Sequence, residues 1–414
     1  MVHQTMSTKM TKANNASKIN PLIAVLRSPA RKPLRAGFLA LIVGSLSACG
    51  VLTPQSEPAA PNAPPARTEA SKPPSPRNEG PLPPPILQAK SRWVAAPWSQ
   101  LPGWSQDTLP EAWAAWLLSC QRASAASSAV CADVRRLNDA SQAVQREWLM
   151  QRFQPYRVET LQGAAEGLLT SYYEPVMDAS RLPRPGFSVP LYAPPPGLNL
   201  RKPWFTREEM ETQPQARAAL KGKELVYLAD PVDAMVLHIQ GSGRIRVTEA
   251  DGRVHTVRLA FAGTNEQPYK SIGSWLLEQG LTRDATWPGI KTWVAKNPQR
   301  VNELLWKNPR VVFFKEEALS GAAADLGPKG AQGVPLTAGR SIAVDPASIP
   351  YGTPVWLVSG GPQVQLQKLV LAQDTGSAIV GGIRADYFAG SGPAAGDLAG
   401  RLKQPLRMWV LLPR

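Results

Sequence analysis

Two adjoining stretches near the C-terminus decide how this chain is interpreted: residues 369–379 are LVLAQDTGSAI, and residues 381–388 are GGIRADYF. The apolar run that begins the first stretch is typical of a buried strand. It leads to Asp374, and Asp386 follows among glycines, which allow tight turns and close approach to a ligand. Carboxylates on such loops suit acid–base chemistry, because a rigid scaffold holds them over a cleft. A turn cap at Asp374 and a surface ion pair at Asp386 explain the same residues equally well, so both interpretations stay open at this point.

The first 48 residues predict export from the cytoplasm. They contain seven Lys or Arg residues and no acid, and their apolar core at 37–48 is too short to span a membrane. The sequence LSAC at 46–49 matches a bacterial lipobox, in which Cys49 is lipidated and becomes the new N-terminus. An ordinary secretory signal that contains a cysteine is the alternative. Gly50 follows the cysteine, and no inner-membrane retention signal is evident. We therefore expect an outer-membrane lipoprotein that faces the periplasm of a Gram-negative bacterium.

Residues 49–92 are rich in Pro, Ala and Ser and predict an extended, semi-rigid tether. Roughly 40 residues at ~3.1 Å each would hold a folded part on the order of 100 Å from the membrane. That reach suits a substrate that lies away from the bilayer.

The charge of the chain favours one class of partner. Removal of the basic leader lowers the formal charge from +15 to about +8. The remaining Lys and Arg residues are spread along the chain, and the periplasm offers few nucleic acids. A polyanionic cell-wall glycan is therefore a better partner than a nucleic acid, with mere solubility as the alternative.

Cysteine and histidine are too few for several chemistries. Cys120 and Cys131 are a candidate disulfide in an oxidising compartment, and two free structural thiols are the alternative. A thiol–metal site would need more ligands. His238 and His255 have neither metal-ligand nor triad spacing, so we expect both to be structural. The chain is predicted to use no metal and no cofactor.

The local patterns predict a mainly β fold with helical additions. Residues 93 to about 160 look helical, and short strands with Gly and Pro breaks begin at about 163. Further predictions are helices at 207–220, 271–280 and 302–307, strands at 232–239 and 243–247, and β structure from 308 to the end. Short strands with such turns point to a β-barrel architecture.

The C-terminal stretch resembles the 3D domain, which is named for three aspartates, and Asp345 matches the first of them. Four upstream motifs are similar to the lytic murein transglycosylase A family. They are LTSYYEP at 169–175, HIQGSG at 238–243, YKSIG at 269–273 and NPRVVFF at 308–314. Ser171 stands where the family often has Gly, and residues 264–266 stand where Asn-Gly is common. The motifs occur in family order from about 161 to 414, so the resemblance is specific.

The resemblance implies a double-psi β-barrel built from residues 93–180 and 311–414. A second, barrel-like β domain at 181–310 would be inserted into it, with a glycan groove between the two. It also implies an activity, the cleavage of the MurNAc–GlcNAc β-1,4 bond of peptidoglycan without water, which leaves 1,6-anhydroMurNAc ends.

The same resemblance assigns roles to single residues. Asp386 is expected to be the catalytic acid and then the base, and Asp374 its partner in the cleft. A raised pKa of Asp386 would follow from desolvation by Tyr387 and Phe388. Four further side chains suit sugar faces and hydroxyl groups: Tyr172, Tyr173, Gln240 and Ser242. A place in the core fits Tyr172 and Tyr173 equally well.

Three different functions fit parts of the sequence. The DTGS sequence at 374–377 also occurs in aspartic proteases, but that chemistry needs two carboxylates that share a proton, and the chain has one copy of the motif. A non-catalytic peptidoglycan-binding lipoprotein would use the same groove without turnover. A two-carboxylate glycoside hydrolase would use both aspartates, and its product is heavier by one water, so product mass distinguishes it.

Overall fold

The computed structural model describes residues 81–124 and 127–414. The predicted leader, the lipidation site Cys49 and the tether as far as residue 80 lie outside the described residues. Within the described ranges, no helix is long and apolar enough to cross a membrane.

Strands dominate this part of the chain. In chain order they are β1 Ile86–Leu87, β2 Arg92–Ala95, β3 Phe153–Glu159, β4 Gly167–Glu174, β5 Val176–Ser180, β6 Val189–Tyr192, β7 Glu224–Leu228, β8 Gly243–Thr248, β9 Val254–Thr264, β10 Val312–Ala318, β11 Ser341–Val344, β12 Pro354–Gly360, β13 Gln365–Asp374, β14 Arg384–Ser391 and β15 Lys403–Pro413. The helices are α1 Leu109–Ser119, α2 Ser128–Arg136, α3 Gln142–Arg152, α4 Arg207–Thr212, α5 Pro214–Leu220, α6 Pro231–Gln240, α7 Ile272–Glu278, α8 Trp287–Lys296, α9 Val301–Trp306 and α10 Pro393–Arg401. The predicted mainly β fold class is confirmed.

The larger sheet of the described region closes on itself. Its strand order is β1-β2-β3-β15-β12-β13-β11-β14-β4, and β15 also pairs with β4. Strand β15 is long enough for both neighbours, because 403–406 pair with β4 and 409–413 pair with β3. The strands from β15 to β4 therefore form a closed six-stranded ring, the predicted barrel, and closure removes the exposed sheet edge.

The smaller sheet has the strand order β10-β9-β8-β5-β7-β6. Its strands run from Val176 to Ala318, a few residues beyond each edge of the predicted insert at 181–310. The chain passes from the barrel to this sheet at Pro175, between β4 and β5. The sheet buries its own apolar cluster around Ile245, Val247 and Phe314, so the second unit has a core of its own.

Two apolar clusters lie on opposite faces of the barrel wall. The inner one includes Ile342, Val370 and Ala372, whereas the outer one joins α1–α3 to Trp356 and Leu369. A disulfide between Cys120 and Cys131 ties the end of α1 to α2 in this outer helical layer.

Several local predictions are wrong. The apolar run 232–239 was predicted to be a strand but lies in helix α6. The N-cap of this helix is Asp230, whose side chain accepts from the Val232 amide, and its first residue is Pro231. These are helix-start signals that outweigh an apolar run. The predicted helix 207–220 is broken at Gln213, before Pro214. Helix α8, and α10 in the C-terminal region assigned to β structure, were not predicted. Strands β2 and β3 occupy the two ends of the segment from 93 to about 160 that was predicted to be helical.

Candidate active site

The two predicted catalytic aspartates lie on strands that flank β11. Asp374 ends β13 and Asp386 lies in β14, and each is the register partner of Ala343. Cross-strand partners project from the same face of a sheet, so both carboxylates point to the same side of the barrel wall. Two strand spacings separate their Cα atoms, which corresponds to about 10 Å.

An irregularity in β13 brings Asp374 to that face. Ile342 pairs with Ala372, but the next residue, Ala343, pairs with Asp374, so Gln373 is the extra residue of a β-bulge. Ala372 belongs to the inner cluster of the barrel. With regular alternation Asp374 would also face the interior, since side chains repeat with a period of two. The bulge therefore turns this carboxylate out of the core.

Buried hydrogen bonds hold the bulge in place. Gln373 is fully buried, and its Nε2 donates to the Ala115 carbonyl at 2.9 Å and to Ser119 Oγ at 2.8 Å. Its Oε1 accepts from the hydroxyl of Ser341 in β11. The side chain of the extra residue is thus tied both to helix α1 and to the neighbouring strand.

Asp374 is a partly buried carboxyl held by neutral donors. Its Oδ2 accepts from the Tyr172 hydroxyl at 2.8 Å, and its Oδ1 accepts from the Ala331 amide at 2.9 Å. Burial raises the pKa of Asp374 above its ordinary value, and the nearby charge of Asp386 acts in the same direction. The hydrogen bonds oppose this rise but do not cancel it.

Asp386 has a shorter set of partners. The Thr170 hydroxyl donates to its Oδ1, and Thr170 Oγ1 in turn accepts from Arg384 Nη2 at 2.7 Å. Desolvation raises the pKa of Asp386, while the Thr170 hydrogen bond and the positive charge of Arg384 lower it in part. A partly buried carboxyl with a raised pKa can keep a proton and donate it, which is what a general acid requires.

Strand β4 connects the two aspartates. Thr170 and Tyr172 are two residues apart, so they share a face of β4, and they donate to Asp386 and Asp374 respectively. Burial and both carboxylates raise the pKa of Tyr172, which therefore stays a neutral hydroxyl donor. Sequence reasoning placed Tyr172 among sugar-binding residues, whereas the structure shows it bonded to Asp374.

The remaining predicted binding residues lie near the end of β4. The Tyr173 amide donates to Gln240 Oε1 at 2.9 Å, which joins β4 to the C-terminus of α6. Ser242 is buried just before β8, with 6% of its surface exposed. The structure thus brings Tyr173 and Gln240 together, and Ser242 follows Gln240 by two residues in the chain.

The aromatic surroundings of Asp386 differ from the expectation. Phe388 packs against Tyr172 with ring centroids 5.3 Å apart, on the face that carries the aspartates. Tyr387 belongs to the inner cluster of the barrel, and its hydroxyl donates to the Gly339 carbonyl at 3.1 Å. The expectation that both aromatic residues wall the cleft is wrong for Tyr387, because adjacent strand residues face opposite sides.

Three contributors were missed from the sequence: Thr170, Arg384 and Ala331. The first two stand within the stretches LTSYYEP and GGIRADYF, but the pairing of β4 with β14 that brings Thr170 to Asp386 is a tertiary contact that neither stretch indicates. Ala331 acts through its backbone amide, so its side chain carries no signal.

Asp345, the first aspartate of the 3D pattern, does not join the pair. Its carboxylate accepts from Lys90 Nζ at 3.0 Å and from the amides of Gly381 and Ala347. These partners together lower the pKa of Asp345 despite its burial. Asp345 thus holds the loop that joins β13, where Asp374 is the last residue, to β14, where Asp386 is the third.

The histidines and the cysteines lie apart from this chemistry. His238 Nδ1 accepts from the Val312 amide at 3.1 Å, and burial holds its pKa well below the ordinary value. Among the described residues, no group of three or more His, Cys, Asp or Glu side chains is placed to hold a metal ion.

Comparison with known proteins gives a consistent result. The model of the MltA specific insert domain matches residues 168–315, and that of the 3D domain matches residues 340–412. A membrane-bound lytic murein transglycosylase A from Vibrio cholerae is 33% identical over 290 residues, which cover 64% of this chain and 73% of the relative.

Solved structures agree in fold. The lytic transglycosylase LtgG of Burkholderia pseudomallei is 44% identical and matches 79% of this chain and 97% of its own, with a TM-score of 0.54. Escherichia coli MltA, solved with bound chitohexaose, is 26% identical and matches 78% of this chain and 94% of its own, with a TM-score of 0.62. The likeness thus covers both sheets and the aspartate-bearing face, and this chain belongs to the membrane-bound lytic murein transglycosylase A family.

Proposed function

We propose that this chain cleaves the β-1,4 bond between MurNAc and GlcNAc in peptidoglycan without water, and that Asp386 serves first as acid and then as base. Family membership supports lytic transglycosylase activity on peptidoglycan. The observation that carries the mechanism is Asp386 itself, a partly buried carboxyl with a raised pKa and a hydroxyl partner.

In the first step, the protonated Asp386 gives its proton to the glycosidic oxygen while the bond from that oxygen to C1 of MurNAc breaks. The sugar becomes oxocarbenium-like. In the second step, the Asp386 carboxylate takes the proton of the C6 hydroxyl, whose oxygen attacks C1 and closes the 1,6-anhydro ring. Asp386 is protonated again at the end, so one carboxyl serves both steps and no water is consumed.

Asp374 fits a supporting role in this scheme. Tyr172 and the Ala331 amide occupy both of its oxygens, which fixes its orientation on the shared face. A carboxylate at this position stabilises positive charge at the sugar centre and leaves the proton transfers to Asp386. The attack by a hydroxyl of the same sugar gains from proximity, so a second catalytic base is not required.

The comparisons and the site support the proposed substrate class. The E. coli relative binds chitohexaose, a β-1,4-linked amino sugar chain. We propose that glycan strands of peptidoglycan lie along the face that carries Asp386 and Asp374. Tyr173, Gln240 and Ser242 would contact the sugars, between the barrel (93–180 and 311–414) and the insert (181–310).

Product analysis tests the activity. Protein lacking residues 1–49 is incubated with purified sacculi in the presence of EDTA, and the released muropeptides are weighed by mass spectrometry. We expect anhydromuropeptides, lighter by one water than hydrolysed products. Hydrolysed products would identify a two-carboxylate hydrolase. Activity lost in EDTA and restored by a divalent ion would refute the metal-free mechanism.

The proposed location is the outer membrane, with the protein anchored by lipid on Cys49 and facing the periplasm. The curated relatives are named membrane-bound, which supports an envelope location. We expect Cys49→Ser to abolish lipidation and to move the protein from the membrane fraction to the soluble fraction, since lipid provides the anchor. Unchanged sedimentation with membranes would place the anchor elsewhere.

A further inference from the structure

A fully buried carboxylate lies where the barrel meets the second sheet. Glu174 ends β4 and has no exposed surface. Its Oε1 accepts from Arg258 Nε at 2.5 Å, and its Oε2 accepts from Arg244 Nε at 2.7 Å and from Ser391 Oγ at 2.7 Å. Both oxygens are therefore satisfied, as a buried charge requires.

The partners of Glu174 come from both sheets. Ser391 ends β14 of the barrel, whereas Arg244 and Arg258 lie on β8 and β9 of the second sheet. The main chain of Glu174 is tied to the barrel as well, because its carbonyl accepts from the Gly392 amide at 2.9 Å. One side chain thus links the two sheets through charged hydrogen bonds.

The two arginines extend this link to a third segment. Arg244 donates to the Ala324 carbonyl at 2.6 Å and to the Leu326 carbonyl at 3.0 Å, and Arg258 donates to Leu326 at 2.6 Å. Five residues later, the Ala331 amide donates to Asp374. The segment that supplies a hydrogen bond to the second aspartate is therefore held by the same arginines that bind Glu174.

Four residues in the second half of β4 contact different parts of this arrangement. Thr170 contacts Asp386, Tyr172 contacts Asp374, the Tyr173 amide contacts Gln240, and Glu174 contacts the arginines. A shift of the second sheet along this strand would move Gln240 and the 324–331 segment relative to the aspartates. A satisfied buried ion pair resists such a shift, because a displaced charge would lose its partners.

We infer that Glu174 is a positioning residue. Through Arg244 and Arg258 it holds the second sheet and the 324–331 segment against the barrel, so that Gln240 and the Ala331 amide meet the aspartate-bearing face. Its effect on turnover rests on the proposed function, whereas its effect on the geometry does not.

The chain contains a matched control. Glu159 is also buried and also binds two arginines, Arg92 at 2.7 Å and Arg157 at 2.5 Å. Its partners lie on β2 and β3, within the larger sheet. Glu159→Gln therefore removes the same kind of charge from the same kind of cluster without touching the junction between the sheets.

The first measurement is hydrogen–deuterium exchange of the protein lacking residues 1–49, at a temperature where each variant is folded by circular dichroism. We expect Glu174→Gln to speed exchange at residues 326–331 and 240–243, and Glu159→Gln to leave these segments as in the wild type. This readout does not depend on activity. Unchanged exchange at both segments in Glu174→Gln would overturn the inference, even if the proposed reaction stands.

The second measurement is turnover of sacculi by the folded variants. We expect Glu174→Gln to lower kcat/KM by about tenfold or more, because small misplacements of catalytic groups are costly, and Glu159→Gln to stay within about twofold of the wild type. Equal losses in the two variants would overturn the inference, because Glu174 would then act through stability alone.

If Glu174→Gln does not fold, Arg244→Lys replaces it, since lysine keeps the charge but loses the forked guanidinium group that reaches the carbonyls of Ala324 and Leu326. Wild-type exchange and turnover in Arg244→Lys would then overturn the inference.

Discussion

The carboxylates of the aspartate-bearing face and the carboxylate at the junction between the sheets have opposite surroundings. Glu174 at the junction is bound by two arginines, whereas among the described residues Asp374 and Asp386 form no ion pair. Both aspartates have raised pKa values because burial is not offset by a directly bonded cation. The difference shows how one chemical group serves two purposes. A carboxyl among hydroxyl and amide donors can carry a proton, and one between guanidinium groups is a structural link.

The largest expected effect comes from removal of the proposed proton carrier, Asp386. Asp386→Asn preserves size and can still accept from Thr170, but it can neither donate a carboxyl proton nor accept one from the C6 hydroxyl. We expect kcat on sacculi to fall by ~10³–10⁴-fold or more. Calorimetric binding of chitohexaose should remain near the wild-type level. Asp178→Asn, which changes an exposed acid of the second sheet, is the control and should remain active.

Asp374→Asn tests the ranking of the two aspartates. In the proposed mechanism it removes charge near the sugar centre but leaves the proton carrier Asp386 in place, so we expect a smaller loss, on the order of 10²-fold in kcat. Measurement of both variants under one condition decides the assignment. An active Asp386→Asn together with an inactive Asp374→Asn would reverse the roles proposed for the pair.

Arg384→Gln tests how a nearby positive charge affects the pKa of Asp386. The positive charge of Arg384 lowers the pKa of Asp386, so its removal should raise that pKa further. The acid would then stay protonated to higher pH, and the alkaline limb of the kcat/KM profile should move to higher pH. Arg253→Gln makes the same change of net charge at an exposed site and should leave the profile unchanged. A shift to lower pH would contradict the proposed role of Asp386 as the acid.

The smallest expected effect is on stability. Because the folded-state pKa of Asp386 lies above the ordinary value of 3.8, its contribution to stability is fully present below that pH and is lost as the pH rises through the folded value. An asparagine does not ionise and avoids this loss. Asp386→Asn should therefore have a Tm a few degrees above that of the wild type at pH 7, and the difference should vanish near pH 3. A lower Tm at pH 7 would show that the charged form is stabilised by the fold.

The sequence predicted the strand–loop–strand region around Asp374 and Asp386 and a barrel, because apolar runs and glycine turns are local signals. The second β unit was expected only from the family resemblance. The error at 232–239 has a local cause too, since Asp230 and Pro231 mark a helix start that the apolar run obscured. Likewise, period-two alternation would have placed Tyr387 in the core.

Further features are not local. Regular alternation along β13 would direct Asp374 into the barrel, and only the bulge at Gln373, held by Ala115, Ser119 and Ser341, turns it outward. The partners of Glu174 lie 70, 84 and 217 residues away in the chain. The sequence by itself determined which residues carry the carboxyl groups and which apolar runs form the strands around them, because residue type and periodicity are written in the chain. The tertiary structure alone decided that Asp374 and Asp386 share a face and that Glu174 joins two sheets, because register, bulges and buried charge partners depend on contacts between segments far apart in sequence.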